Sequence, residues 1–246
     1  IHGGGLDLVF PHHENEIAQS RCAHDGAPFV RYWVHNGYVI VEGEKMSKSL
    51  GNFFTVRELL EEGWPGEVIR LTLLSAHYRQ PLDFTRNKLK DSKAQLDRLY
   101  GALRRVGGDA KGKPDEATMA EFRAALLDDL NVPLALSVLH ETAGVLNKAE
   151  DKGKQAKLAR ALFVMGEGLG LLNLAPEAWF KKVQDPAGEE AAGGIDGQWV
   201  EDRISAREAA REGKDFTAAD RIRDELAAAG VVLEDGPDGT TWRRAG

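Results

Sequence analysis

Two lysines three residues apart give the first chemical signal in the chain. They stand in Glu44-Lys45-Met46-Ser47-Lys48-Ser49-Leu50-Gly51-Asn52, with serines between them and a glycine just behind. An ammonium group is a compact point charge with rotatable donors, suited to a phosphate that changes position during a reaction. Cations fixed beside a departing pyrophosphate stabilise the transition state more than the ground state. Lys45 and Lys48 are therefore candidate catalytic cations. By spacing alone, a solvated surface turn fits them equally well.

A second cluster lies near the start, in Pro11-His12-His13-Glu14-Asn15-Glu16. Proline suits a first helical position, and the helix reads on to about Ala23. Positions i and i+4 share a helix face, so His12 and Glu16 can converge. Imidazole nitrogen and carboxylate oxygen both suit Zn²⁺, which takes about four ligands. A hydrogen-bonded surface pair fits the same two residues. Upstream, Gly3-Gly4-Gly5 before Asp7 could let backbone approach a ligand closely, with the carboxylate on ribose hydroxyls. A tight structural turn is the other account.

Bulk properties narrow the classes. The chain has 246 residues, 42% of them hydrophobic, and a formal net charge of -7. That balance argues against a wholly basic nucleic-acid coat while leaving local patches open. One cysteine, Cys22, excludes a disulfide framework, suits a reducing cytosol and reads as structural. No apolar run has membrane-spanning length and no signal peptide opens the sequence. Ile1-His2-Gly3-Gly4-Gly5 reads like the interior of a domain whose first portion lies elsewhere.

The elements that must position these groups follow from local patterns. Residues 6–10 read as a buried strand end, and 32–41 as strand, Asn36-Gly37 turn, strand. The second strand would deliver Lys45 and Lys48 to the edge of the site. Thr55-x-x-Glu58 is a capping box and Gly63 a stop. Pro65 opens a helix with Val68, Leu71, Thr72 and Ser75 towards a core, and 77–84 is a connector. Thr85 caps a long helix to about Val106, whose exposed side carries Arg86, Lys88, Lys90, Lys93, Arg98, Arg104 and Arg105. After a linker, helices at 116–130, 133–150 and 155–172 form an antiparallel bundle. Phe122, Leu126, Leu127 and Leu130 face inward on the first of them, and Met165 and Leu169 are core on the third. Residues 184–194 read as a flexible tether. The last module has helices at 196–213 and 217–229, Gly230 as C-cap, and strands at 231–234 and 240–243. In it Thr217-x-x-Asp220 has the form of a helix cap, Asp235 sits in a turn-like Asp-Gly-Pro-Asp-Gly, and Trp242 packs between hairpin and helices.

The string Lys-Met-Ser-Lys-Ser-Leu-Gly-Asn resembles the signature loop of class I aminoacyl-tRNA synthetases. Together with Ile1-His2-Gly3-Gly4-Gly5-x-Asp7, Phe10-Pro11-His12-His13-Glu14-Asn15-Glu16 and the tail Leu233-Glu234-Asp235-Gly236-Pro237-Asp238-Gly239-Thr240-Thr241-Trp242, it resembles the cysteinyl-tRNA synthetase family along the whole chain. The resemblance implies an α/β plus mostly α architecture. Residues 1–42 would be the C-terminal part of a Rossmann-type catalytic domain, and 43–112 a signature-loop and stem-contact region. Residues 113–183 would be an anticodon-arm bundle, 184–195 a linker and 196–246 an anticodon-recognition module. It implies a cysteine–tRNA ligase in the cytoplasm, with ATP and Mg²⁺, cysteine and tRNA-Cys as partners, and neither DNA nor membrane. Lys48 is the stronger ATP contact with Lys45 beside it. His2, Gly4, Gly5 and Asp7 lie against the adenylate. His12 and Glu16 are two ligands of a zinc ion that selects the thiol, the other two being cysteines upstream. Arg211, Asp220 and Asp235 meet anticodon bases. No HIGH-type ATP motif occurs in the sequence, so the same resemblance allows a tRNA-binding piece without catalysis. A cysteine:amino-sugar ligase of mycothiol synthesis shares the motifs but not the long tail.

Overall fold

The computed structural model describes residues 1–41, 43–46, 55–108, 111–182, 197–236 and 239–244. It begins with strand β1 (His2–Gly5), paired in parallel with β2 (Trp33–Asn36) in the register His2↔Trp33 to Gly5↔Asn36. Parallel neighbours need a long crossover rather than a tight turn. Helix α1 (Glu14–Ala23) supplies it.

The expected strand at 6–10 is not there. Leu6–Leu8 is a 3₁₀ turn and Val9–His13 a wider helical turn, with a cis Phe10–Pro11 peptide, so Pro11 precedes α1 rather than opening it. Phe10 is 77% exposed. A short apolar run does not specify a strand without a neighbour to pair with, and this run turns the chain from β1 into α1. The three glycines are likewise strand rather than turn.

The Asn36-Gly37 hairpin is also corrected. β3 (Val39–Val41) leaves the β1–β2 sheet and pairs antiparallel with β4 (Glu44–Lys45) and parallel with β5 (Leu82–Asp83), a strand within the expected connector. Gly37 donates its N–H to Tyr78 O at 2.7 Å, and a Cβ there would lie 2.4 Å from Gln80 O. Glycine is needed for the close approach of a second chain segment, not for a turn dihedral.

Seven helices then share one core. They are α2 (Val56–Glu61), α3 (Gly66–Leu74), α4 (Arg86–Arg105), α5 (Glu116–Leu127), α6 (Val132–Lys148), α7 (Lys152–Leu169) and α8 (Pro176–Lys182). Thr55 and Glu58 form the capping box, Thr85 caps α4 through Lys88 N, and Asn131 caps α6 through Leu134 N. Leu96, Leu99, Leu139, Leu146, Leu162 and Met165 are fully enclosed, and the core continues across the expected 112/113 boundary. Glu67 of α3 ties the far ends together. It accepts from Tyr100 Oη at 2.9 Å, Leu172 N at 2.9 Å and Asn173 N at 3.0 Å. Burial pushes the Tyr100 hydroxyl well above its ordinary pKa. Tyr100 stacks on Trp179 of α8, whose Nε1 donates to Asp97 at 2.8 Å. Helix α8 itself is too short for its periodicity to show in sequence.

Two inward-facing expectations fail. Ser75 is exposed, and α5 buries Met119, Phe122 and Ala125 while Leu127 is 86% and Leu130 57% exposed. The reason is the turn after Leu127. Asp129 and Leu130 take φ of 51° and 54°, and the Asp129 carboxylate accepts from Tyr78 Oη at 2.7 Å and Arg79 Nε at 2.5 Å. The helix is stopped by that clamp before its last leucines reach the core.

The terminal module has its own core of Val200, Ile204, Ile222, Leu226, Val231 and Trp242. It consists of α9 (Gly197–Glu212), α10 (Phe216–Ala228) and the antiparallel hairpin β6 (Val231–Gly236) with β7 (Gly239–Arg244). Asp215, not Thr217, caps α10 by accepting from Ala218 N. Asp220 therefore sits inside the helix and is no cap. Trp242 is packed as expected, its Nε1 donating to Glu201 at 2.9 Å. The tether at 184–194 lies outside the described residues. Cys22 is exposed on α1 rather than structural. Among the described residues, no helix is long and apolar enough to cross a membrane.

Two outcomes test this account. Gly37→Ala forces the Gln80 carbonyl to move and lowers unfolding free energy by about 1–3 kcal/mol, read by urea titration. The Arg79 and Tyr78 hydrogen bonds hold the Asp129 carboxyl at about 2, below its ordinary 3.8. Its stabilising effect is present above pH 4 and is lost as pH falls towards 2. The gap in melting temperature between the wild type and Asp129→Asn is thus widest near neutrality and closes in acid.

Candidate functional site

The first cluster is built by the strand register and the crossover helix together. α1 lies over the β1–β2 pair and brings Glu16 against His2, with His2 Nε2 2.8 Å from Glu16 Oε2. His12 Nε2 is 3.6 Å from Glu16 Oε1, so the expected i, i+4 pair does converge. His13, one residue on, is buried, and its Nδ1 lies 3.0 Å from His35 Nε2 on β2. Burial, then the nearby His2 and His35 rings, lower the His13 pKa and favour its neutral, lone-pair-bearing form.

Gly4 makes room for this ring. A Cβ on Gly4 would lie 2.9 Å from Leu8 Cδ1 and 3.1 Å from His13 Nε2. Its role is to seat His13 against the strand. Asp7 stands in the exposed turn after β1, with its carboxylate folded back over Gly5.

Candidate ligand atoms converge here, and one of them lacks a donor. His2, His13 and Glu16 offer ligand atoms within 4.8 Å of one another. Glu16 Oε2 is shielded from solvent yet no donor meets it in hydrogen-bonding geometry. Such an oxygen beside imidazole nitrogens suits a cation of the zinc type. His2 and His13 are additions to the expected pair. His13 is legible in sequence as the i−3 neighbour of Glu16, whereas His2 arrives through the sheet register and has no local signal.

Of the lysine pair, Lys45 ends β4 opposite Ile40. Lys48 and the loop at 47–54 lie outside the described residues, as does the Lys45 side chain.

At the other end of the chain, Arg211 and Asp235 come together and Asp220 stands apart. Arg207, its side chain 8% exposed, holds Asp235 through Nη1 to Oδ1 at 3.0 Å and Nη2 to Oδ2 at 2.9 Å. Thr240 Oγ1 donates to Oδ1 at 2.8 Å, and Arg211 Nη1 reaches Oδ2 at 3.5 Å. Arg207 first, then Thr240, hold the Asp235 carboxyl far below the usual range. Asp235 is thus a strand residue in an ion pair, not a turn-former. Asp220 is exposed on α10, 3.7 Å from Arg223, and reaches the group only through its field at Arg207.

Several of the cations expected on the exposed side of α4 are held in ion pairs. Arg86 pairs with Glu62, Lys93 with Asp97, and Arg104 with both Glu177 and Glu234.

Three family models match in tandem. Residues 1–94 match the class I (C) tRNA synthetase catalytic domain, 121–173 the DALR domain, and 200–243 the cysteinyl-tRNA ligase anticodon binding domain. The fold is also similar to the LeuRS of an Agrobacterium radiobacter K84 LeuRS–tRNA–LeuAMS complex. The TM-score is 0.54 and the identity 18%, covering 71% of this chain and 27% of that one. The fold and the catalytic model thus define the end of a class I aminoacyl-tRNA synthetase catalytic domain followed by helical modules.

Among curated relatives, the cysteine–tRNA ligase of Paramagnetospirillum magneticum is 59% identical over 99% of this chain and 51% of its own length. That of Rhodospirillum rubrum is 56% identical over 100% of this chain and 52% of its own. That of Saccharophagus degradans is 51% identical over 99% and 51%. The chain belongs to the cysteine–tRNA ligase family, and it spans about half the length of the curated relatives it matches.

Proposed function

We propose that this chain serves a cysteine–tRNA ligase, which condenses cysteine with ATP and Mg²⁺ to Cys-AMP and passes the cysteine to tRNA-Cys in the cytoplasm. The observation that carries the proposal is the gathering of His2, His13 and Glu16 ligand atoms within 4.8 Å of one another, with His12 3.6 Å from Glu16 and Glu16 Oε2 shielded without a hydrogen-bond partner, in a chain whose relatives are named as such ligases.

His12 and Glu16 would hold Zn²⁺, with the two further cysteine ligands that the family resemblance implies. The metal favours a soft thiolate over a hydroxyl, and so supplies selection of cysteine. The rest is the work of this chain's own residues. Gly4 and Gly5 would lie against the adenylate with His2 beside them, and Asp7 would accept from ribose hydroxyls. Lys45 and Lys48 neutralise the leaving pyrophosphate. Arg211, Asp220 and Asp235 meet splayed anticodon bases, whose edges are open to carboxylate and guanidinium.

Two measurements test this. In the complete synthetase, Lys48→Ala lowers ATP–pyrophosphate exchange by about a hundredfold or more, the scale for losing one preorganised charge-stabilising group. An unchanged rate removes Lys48 from the chemistry. Filter binding of this chain to tRNA-Cys without exchange would assign it the binding part alone. For the metal, chelator competition shows His12→Ala and Glu16→Gln each weakening zinc at least about tenfold. Loss with His2→Ala but not His12→Ala moves the site to the His2–His13–Glu16 grouping, and indifference to Glu16→Gln eliminates both.

A further inference from the structure

We propose that Arg207 is a positioning residue for base recognition, fixing the Asp235 carboxylate so that Oδ2 alone remains open to an amino donor of a single-stranded base. This rests on the anticodon-reading role proposed above, and it concerns a residue that touches no RNA itself.

The argument is a count of lone pairs. A carboxylate oxygen accepts about two hydrogen bonds. Oδ1 is filled by Arg207 Nη1 at 3.0 Å and Thr240 Oγ1 at 2.8 Å. Thr240 is supplied by the hairpin itself, since the register places it directly across from Asp235. Oδ2 has one full partner, Arg207 Nη2 at 2.9 Å. Its other contact, Arg211 Nη1 at 3.5 Å, is at the outer limit of a hydrogen bond. The vacancy therefore sits on one oxygen, on the side where Asp235 and Arg211 are half exposed, at 50% and 51%.

The planar guanidinium fork is what sets the orientation. Two parallel donors lock the carboxylate plane, which a single ammonium cannot do. The lock is anchored from inside, because Arg207 is buried while Asp235 is not. An entering exocyclic amino group would take the place of the long Arg211 contact. Arg211 is then released to donate to an acceptor on the same base or its neighbour. A base presenting a carbonyl there meets an ionised oxygen and is repelled, so the device selects by exclusion as well as by contact.

The test uses this chain and fluorescence anisotropy with tRNA-Cys. Companion RNAs carry single anticodon bases stripped of the exocyclic amino group: 2-pyrimidinone riboside for cytidine, inosine for guanosine, or purine riboside for adenosine. For the wild type, one of these analogues weakens binding roughly tenfold. Arg207→Lys keeps the charge but loses the fork, and the penalty shrinks towards unity, while a thermal melt reports that the module is still folded. Thr240→Val, which frees Oδ1, shrinks it in the same direction and decides the matter if Arg207→Lys does not fold. A purely structural role for Arg207 lowers affinity for all these RNAs alike and leaves their ratio at the wild-type value, which overturns the proposal. Wild-type binding indifferent to every analogue also overturns it while leaving tRNA binding intact. Absence of any tRNA binding refutes the reading on which it rests.

Discussion

The parallel pairing of β1 with β2 is the constraint on which the first site depends. Strands that run the same way cannot be joined by a tight turn, so residues 6–32 must cross over, and α1 is the compact way to do so. Once α1 lies on the pair, its inward side is fixed. His13 enters the space left by the missing side chain of Gly4, and Glu16 meets His2 at 2.8 Å. A one-residue slip would turn His2 and Gly4 to the opposite face and scatter the cluster. The chemistry thus rests on a register, and the glycines serve it by letting side chains, rather than backbone, occupy the sheet surface.

Features decided within one helical turn are legible in the sequence. Thr55 with Glu58, Thr85, Gly63 and Gly230 all act where their local signals place them. The failures share another cause. Asn36-Gly37 has the composition of a hairpin turn, but its glycine answers to Gln80, forty-three positions away in the chain. Leu127 and Leu130 continue an apolar period that Tyr78 and Arg79 interrupt by seizing Asp129. His12 and Glu16 are readable because they lie on one helix. His2 is not, because its meeting with Glu16 is made by strand pairing. Asp235 looks like a turn residue until Arg207, on the neighbouring helix α9, is seen to hold it. Long-range partners, not propensities, decide each of these positions.

The same distinction governs the charges. A helix with seven basic residues invites the view that all seven line a solvated face. Arg104 instead spans α8 and β6, pairing with Glu177 at 2.6 Å and Glu234 at 2.9 Å with its side chain only 15% exposed. Glu201 accepts from both Lys181 of α8 and Trp242 of β7. These contacts attach the terminal module to the long helix through α8. They leave the bundle and the module touching through charges rather than a shared apolar core. Such an interface is weakened by salt and by exposure, since the gain from half-exposed pairs is modest.

In the proposed tRNA-binding role, an interface of that kind governs how two distant sites would serve one RNA. An apolar seam would fix the module rigidly at the cost of any adjustment, whereas ion pairs of long side chains tolerate small rotations while keeping their partners. The Asp235 group is built the opposite way, with a buried guanidinium and a strand hydroxyl fixing one carboxylate. Rigidity is therefore concentrated at the Asp235 carboxylate, where the proposed reading needs a donor told from an acceptor, and compliance at the charged interface between module and bundle. The acidic net charge of -7 agrees with this division. A surface that is not uniformly cationic holds RNA weakly outside its specific contacts, so in the proposed role discrimination would fall on a few oriented groups rather than on bulk attraction.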